Sequence, residues 1–105
     1  MKEDPKASVI GAGDFNEFAF VAPLETFLSL SGLGDLDEVA EISEKERYTY
    51  LFDMNCQQLD HMYISKELAS RQALIEHLHV NTWSTTSDTV SDHDPSVATL
   101  NVCRK

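Results

Sequence analysis

The amino-acid sequence predicts a small α+β domain, mostly antiparallel sheet with one or two flanking helices. Three observations lead there. Short stretches rich in β-branched and aromatic residues, bounded by Gly, Asp or Asn, recur at residues 8–12, 48–52, 58–64 and 96–102. Asp53-Met54-Asn55 supplies turn chemistry between two of them. One segment, opening at Ala22-Pro23, carries a helix signature.

Taken in order, residues 1–7 read as a loop, and Ser8-Val9-Ile10-Gly11-Ala12 suits a buried strand. Pro23 fits the first position of a helix and Glu25 sits well in its first turn. Leu24, Phe27 and Leu28 then form a core-facing stripe, and Gly32 is a natural stop. Residues 34–47 carry six acids against Lys45 and Arg47, which predicts a solvated loop or a short helix with an acidic face. Residues 48–52 and 58–64 are expected to form a hairpin. In the second of these strands, alternation puts Leu59, His61 and Tyr63 on one face and Asp60, Met62 and Ile64 on the other. Ser65 is placed to cap one helical turn. Residues 73–80 fit a strand or a helix, and the alternation of Ile75, His77 and His79 favours a strand with both histidines exposed and neither a metal ligand. Residues 81–90 read as a Thr/Ser-rich loop anchored by Trp83, and the last strand follows Pro95.

At 105 residues the chain is one domain at most. No apolar run is long enough to span a bilayer, and the first residues carry no apolar secretory core. Eighteen acids against eight Lys and Arg give a net charge of −10, which argues against unspecific coating of nucleic acid. The same charge leaves room for a phosphoester held through a divalent cation, because the metal brings the missing positive charge. Cys56 and Cys103 are two buried thiols or a single bridge, and no compartment follows from them.

The residues that could do chemistry fall at three strand ends. Gly13-Asp14-Phe15-Asn16 projects a carboxylate and an amide to one side, either as a plain turn or as a place to hold a water and a phosphate oxygen. Asp60 lies on the apolar face of its strand, a costly position without a partner, so it is a satisfied structural acid or one that orients a histidine. Ser91-Asp92-His93-Asp94-Pro95 flanks an imidazole with two acids, a charged turn or the pairing that general acid/base and metal-assisted hydrolysis use.

In this order, Gly13-Asp14-Phe15-Asn16, then Gln58-Leu59-Asp60-His61 with Ile64-Ser65 behind it, then Ser91-Asp92-His93-Asp94-Pro95 resemble the later motifs of the endonuclease/exonuclease/phosphatase superfamily, the DNase I-like phosphodiesterases. The wording is most similar to secreted nucleases of fungal and bacterial type. The resemblance runs from about Ser8 to Val102 and implies about one half of a four-layer α/β/β/α sandwich. It implies that Asp14 polarises the attacking water or assists the leaving oxygen, and that Asn16 holds a phosphate oxygen or the water. It makes His93 the general base or transition-state stabiliser, Asp60 the acid that orients it, and Asp92 a ligand of Mg²⁺ or Mn²⁺. Asp94 receives no catalytic role. The implied function is metal-dependent phosphodiester hydrolysis of DNA or RNA. A lipid or other small phosphoester is the alternative substrate, and a non-catalytic interaction module the alternative role.

The chain departs from that pattern in one respect. The asparagine, the metal-binding glutamate and the additional histidine that such proteins carry on earlier strands have no counterpart before Gly13. The expectation is therefore a partial, C-terminal half domain, inactive or nearly so alone, whose uncovered sheet face pairs with a missing half or with a second copy.

Overall fold

The computed structural model describes residues 6–17, 21–52, 55–82 and 91–103. It is a small α+β arrangement in which every pairing between the named strands is antiparallel. Strand β1 (Ile10–Asp14) pairs with β5 (Asp60–Ile64), which pairs on its other edge with the two-residue β2 (Gly34–Asp35). Strands β3 (Tyr50–Phe52) and β4 (Asn55–Gln57) make a second sheet, and β6 (Ala73–His77) and β7 (Ser96–Leu100) a third.

Helix α1 (Ala22–Ser31) has the predicted ends. Proline occupies its first turn, and Gly32 closes it at φ 72°, a left-handed conformation that glycine adopts without Cβ strain. Leu24 is buried, while Phe27 packs its ring on Phe15 and Tyr63. Short helices α2 (Leu36–Val39) and α3 (Lys66–Ala69) follow, with a 3₁₀ turn at Glu44–Glu46 between α2 and β3. Leu36, Ile64, Leu68 and Ile75 form the core.

Several sequence expectations need correcting. The hairpin closes at once, Tyr50 opposite Gln57 and Phe52 opposite Asn55, so residues 58–64 are not its second arm. Instead β5 pairs with β1, setting Asp14 opposite Asp60. β1 is shifted two residues along the chain and is an exposed edge strand: Ile10 is 50% exposed, and Gly11, Ala12 and Gly13 have little side chain to bury. The acidic segment is not simply solvated. Asp35 and Asp37 are buried, because Asp35 Oδ1 accepts the Asp37 N–H at the start of α2 while Asp37 meets Gln58 and His77. His77 and His79 turn inward, with side chains only 3% and 6% exposed. His77 shares the face of the buried Ile75, and His79, past the end of β6, donates from Nδ1 to Asp94 and stacks flat on Tyr48. Both cysteines are free and exposed, so neither the bridge nor the buried thiols describe them. Ser65 stands at the start of α3 but its hydroxyl accepts from the Val9 N–H, tying β1 to this corner. Trp83 and most of the predicted loop lie outside the described residues, as do residues 1–5.

The two faces of β5 match the alternation. His61 and Tyr63 pack with Phe15, while Met62 and Ile64 join the core. The outer face of the β6–β7 ladder leaves Leu74 and Val97 about half exposed, at 50% and 53%. No described helix is long and apolar enough to cross a membrane.

Candidate functional site

Asp14 and Asp60 end their strands directly opposite one another. Two like charges in cross-strand register repel. His93 bridges the pair. Its Nδ1–H donates to Asp60 Oδ2 at 2.5 Å, and Nε2 lies 3.7 Å from Asp14 Oδ2.

The backbone explains how a histidine 33 residues away arrives there. His93 bridges Tyr50 across an isolated antiparallel pair, and the Asp94 N–H donates to the Thr49 carbonyl at 2.7 Å. Asp94 is the anchor of this corner. Its buried carboxylate accepts from the N–H groups of Asn81 and Thr82, from Thr82 Oγ1 and from His79 Nδ1. Burial raises the Asp94 pKa, but these hydrogen bonds outweigh it and hold the group below the usual value.

Asp60 is also held by Thr49, which is completely buried. Thr49 Oγ1 donates to Asp60 Oδ2 at 2.6 Å and accepts the Asp60 N–H at 3.3 Å. The Tyr50 ring covers His93 with centroids 4.9 Å apart. Burial alone would push the His93 pKa down. The Asp60 hydrogen bond and the charges of Asp60, Asp14 and Asp92 win, and it lies above the ordinary value of 6.5.

Asp14 Oδ1 accepts the Asn16 N–H at 2.9 Å in a tight turn where Asn16 has φ 52°, a conformation asparagine tolerates better than most residues. Asn16 itself is exposed. Asp92 is peripheral: its side chain is 78% exposed and reaches His93 Nε2 at 4.0 Å. The structure thus brings Asp14, Asp60 and His93 together, one ligating atom of each within 4.8 Å of the others, with Asp92 outside that group. A cavity of about 190 Å³ opens beside them, lined among others by Gly13, Asp14, Asp60 and Met62.

No family model, curated protein or solved structure matches the chain.

The donor set bears on which cation would suit. Asp60 Oδ2 already accepts from Thr49 and His93, so it has little left for a metal. Asp14 Oδ2 and the open Asp92 carboxylate are hard oxygen donors on the outer side of His93. One or two carboxylates completed by water and phosphate oxygens suit Mg²⁺ or Mn²⁺, so these residues fit a loosely held hard cation rather than a closed protein cage. Sequence reasoning missed Thr49, the residue that fixes Asp60, because a threonine inside a β-rich stretch reads as ordinary strand composition.

Proposed function

We propose that this chain carries the phosphate-facing part of a metal-dependent phosphodiester hydrolase of DNase I-like type, with nucleic acid as the leading substrate. The observation that carries the reading is the His93–Asp60 hydrogen bond, which turns Nε2 toward Asp14, and both acids line a cavity. A histidine oriented by one carboxylate beside a second is equipped for proton transfer and for stabilising a developing negative charge. The order and wording of the three motifs support the reading independently of the distances.

Each residue then has a task. Asp60 fixes the ring of His93 and favours its charged form. His93 Nε2–H donates to an oxygen of the scissile phosphate, where charge builds as the bond to the leaving oxygen breaks. Asp14 orients the attacking water and takes up its proton, and Asn16, in the same turn, offers its amide to a phosphate oxygen. Asp92 and Asp14 would hold a divalent cation, which would supply Lewis acidity and the positive charge that a −10 chain lacks.

The test is Mg²⁺-dependent nicking of supercoiled plasmid by a full-length version that supplies the missing half, and by its His93→Ala variant. The variant is expected to lose roughly 10²- to 10⁴-fold, the usual worth of a positioned acid/base group. Equal rates would remove His93 from the chemistry. No cleavage by the well-folded full-length version would favour the non-catalytic interaction module, and robust turnover by the 105-residue chain alone would refute that module.

A further inference from the structure

A second cluster borders the same cavity and has no part in the phosphate chemistry. His77 and Ser96 are cross-strand partners at one end of the β6–β7 ladder, so their side chains leave it on the same face. Ser96 Oγ lies 2.6 Å from His77 Nδ1. On the other side of the ring, Nε2 lies 2.6 Å from Asp37 Oδ1, and Gln58 Nε2 donates to Asp37 Oδ2 at 2.7 Å. The side chains of His77 and Asp37 are 3% and 2% exposed.

The hydrogen-bond directions follow from what each group can do. A carboxylate only accepts, so Nε2 carries the imidazole proton and donates to Asp37. Nδ1 is left with a lone pair, aimed at the Ser96 hydroxyl. Acid, base and hydroxyl stand in line, the arrangement that activates a serine on many unrelated folds. Ser96 and His77 both line the cavity, whose walls also include Ala12, Met62 and Ile75.

The geometry points to a serine esterase activity centred on Ser96, with small neutral carboxylic esters as its substrates. It goes beyond the phosphodiester reading and does not rest on it. Ser96 Oγ adds to the ester carbonyl as its proton passes to His77 Nδ1, and that proton then leaves with the departing alcohol. Water, deprotonated by the same nitrogen, cleaves the acyl-serine to the carboxylic acid and restores the hydroxyl. Asp37 acts through His77 as a positioning residue. The apolar wall suits a short acyl chain, while Asp14, Asp60 and Asp94 on the same lining repel an acyl group that carries its own carboxylate.

The experiment treats the purified protein with a fluorophosphonate probe in EDTA, maps the modified residue by mass spectrometry, and follows p-nitrophenyl acetate hydrolysis. Labelling at Ser96 is expected, together with a loss of about 10²-fold or more in hydrolysis for Ser96→Ala and for His77→Gln. Asp37→Asn is expected to lower kcat with KM little changed and to move the His77 proton from Nε2 to Nδ1, read from its ¹⁵N shifts. The tautomer reports the hydrogen bond itself, and a purely structural carboxylate would leave kcat of the folded variant unchanged. EDTA abolishes the proposed phosphodiester cleavage but not this labelling, so the two readings fail separately. Folded wild-type protein that takes no probe at Ser96, or Ser96→Ala hydrolysing the ester at the wild-type rate, overturns the assignment.

Discussion

Replacing Thr49 by Val tests how the candidate site is held. Thr49 is completely buried and its hydroxyl is used twice, donating to Asp60 Oδ2 at 2.6 Å and accepting the Asp60 N–H at 3.3 Å. A hydrogen bond to a charged acceptor contributes about 1.5–3 kcal/mol and a longer neutral one about 0.5–1 kcal/mol. Asp60 keeps its His93 partner and some access to water, so the lower ends of those ranges apply, and valine adds a little apolar burial in return. The expected net loss is about 2 kcal/mol, a large share of the roughly 5–15 kcal/mol typical of a domain. With a urea dependence of about 1–2 kcal/mol/M, the unfolding midpoint falls by about 1–2 M. Urea unfolding followed by tryptophan fluorescence and by circular dichroism measures it. A midpoint within about 0.3 M of wild type, at unchanged slope, would refute the claim that Thr49 secures Asp60.

Three further outcomes follow from the electrostatics. Asp60→Asn removes the main partner that holds the His93 pKa above its ordinary value, so an NMR titration of the His93 ring should show the midpoint falling, and further than in Asp14→Asn. Burial, with the nearby charge of Asp37, raises the Asp35 pKa despite the Asp37 N–H bond. Its favourable contribution is therefore present below the unfolded value and lost as pH rises through the folded one, so Asp35→Asn, which can still accept that N–H, should match or exceed wild-type stability at pH 7, with the difference shrinking toward pH 4 in thermal melts. Asp94 has the opposite sign. Burial raises its pKa but four hydrogen bonds lower it further, so the stability it contributes is present above the unfolded value near 4 and fades as pH falls through the folded one. Asp94→Ala removes the acceptor shared by Asn81, Thr82 and His79 and is expected to cost about 3–5 kcal/mol by chemical unfolding, with Asp94→Asn costing less.

What could be read from sequence divides along physical lines. Helix α1 was legible because its start and stop are written in single residues, Pro23 and Gly32, whose backbone preferences act locally. The alternation of β5 was legible because its period of two survives whichever strand it pairs with. Its partner was not: a turn after Phe52 looks the same whether the chain pairs over three residues or seven, and only the long-range β1–β5 register settles it. His77 was misread for a related reason. The alternation that makes a strand is written locally, whereas the direction of His77 follows from Ile75 being buried on the same face. Asp35 and Asp37 read as solvated because composition reports the charge of a segment and not the donors waiting for it elsewhere. Asp14, Asp60 and His93 were each visible as strand-end acids or an acid-flanked histidine, yet their contact depends on the bridge between Tyr50 and His93, for which no local pattern exists.

A Mn²⁺ titration of the assigned amide spectrum tests the central claim, that Asp14, Asp60 and His93 border a phosphodiester-cleaving cation site, most directly. The paramagnetic ion broadens resonances near wherever it resides, whether or not the protein turns over substrate. Broadening should appear first at Asp14 to Asn16 and at Asp92 and His93, and should move to higher Mn²⁺ in Asp14→Asn. Broadening that begins instead at Glu41 to Glu46, with residues 14–16 and 92–93 unaffected, would contradict the account.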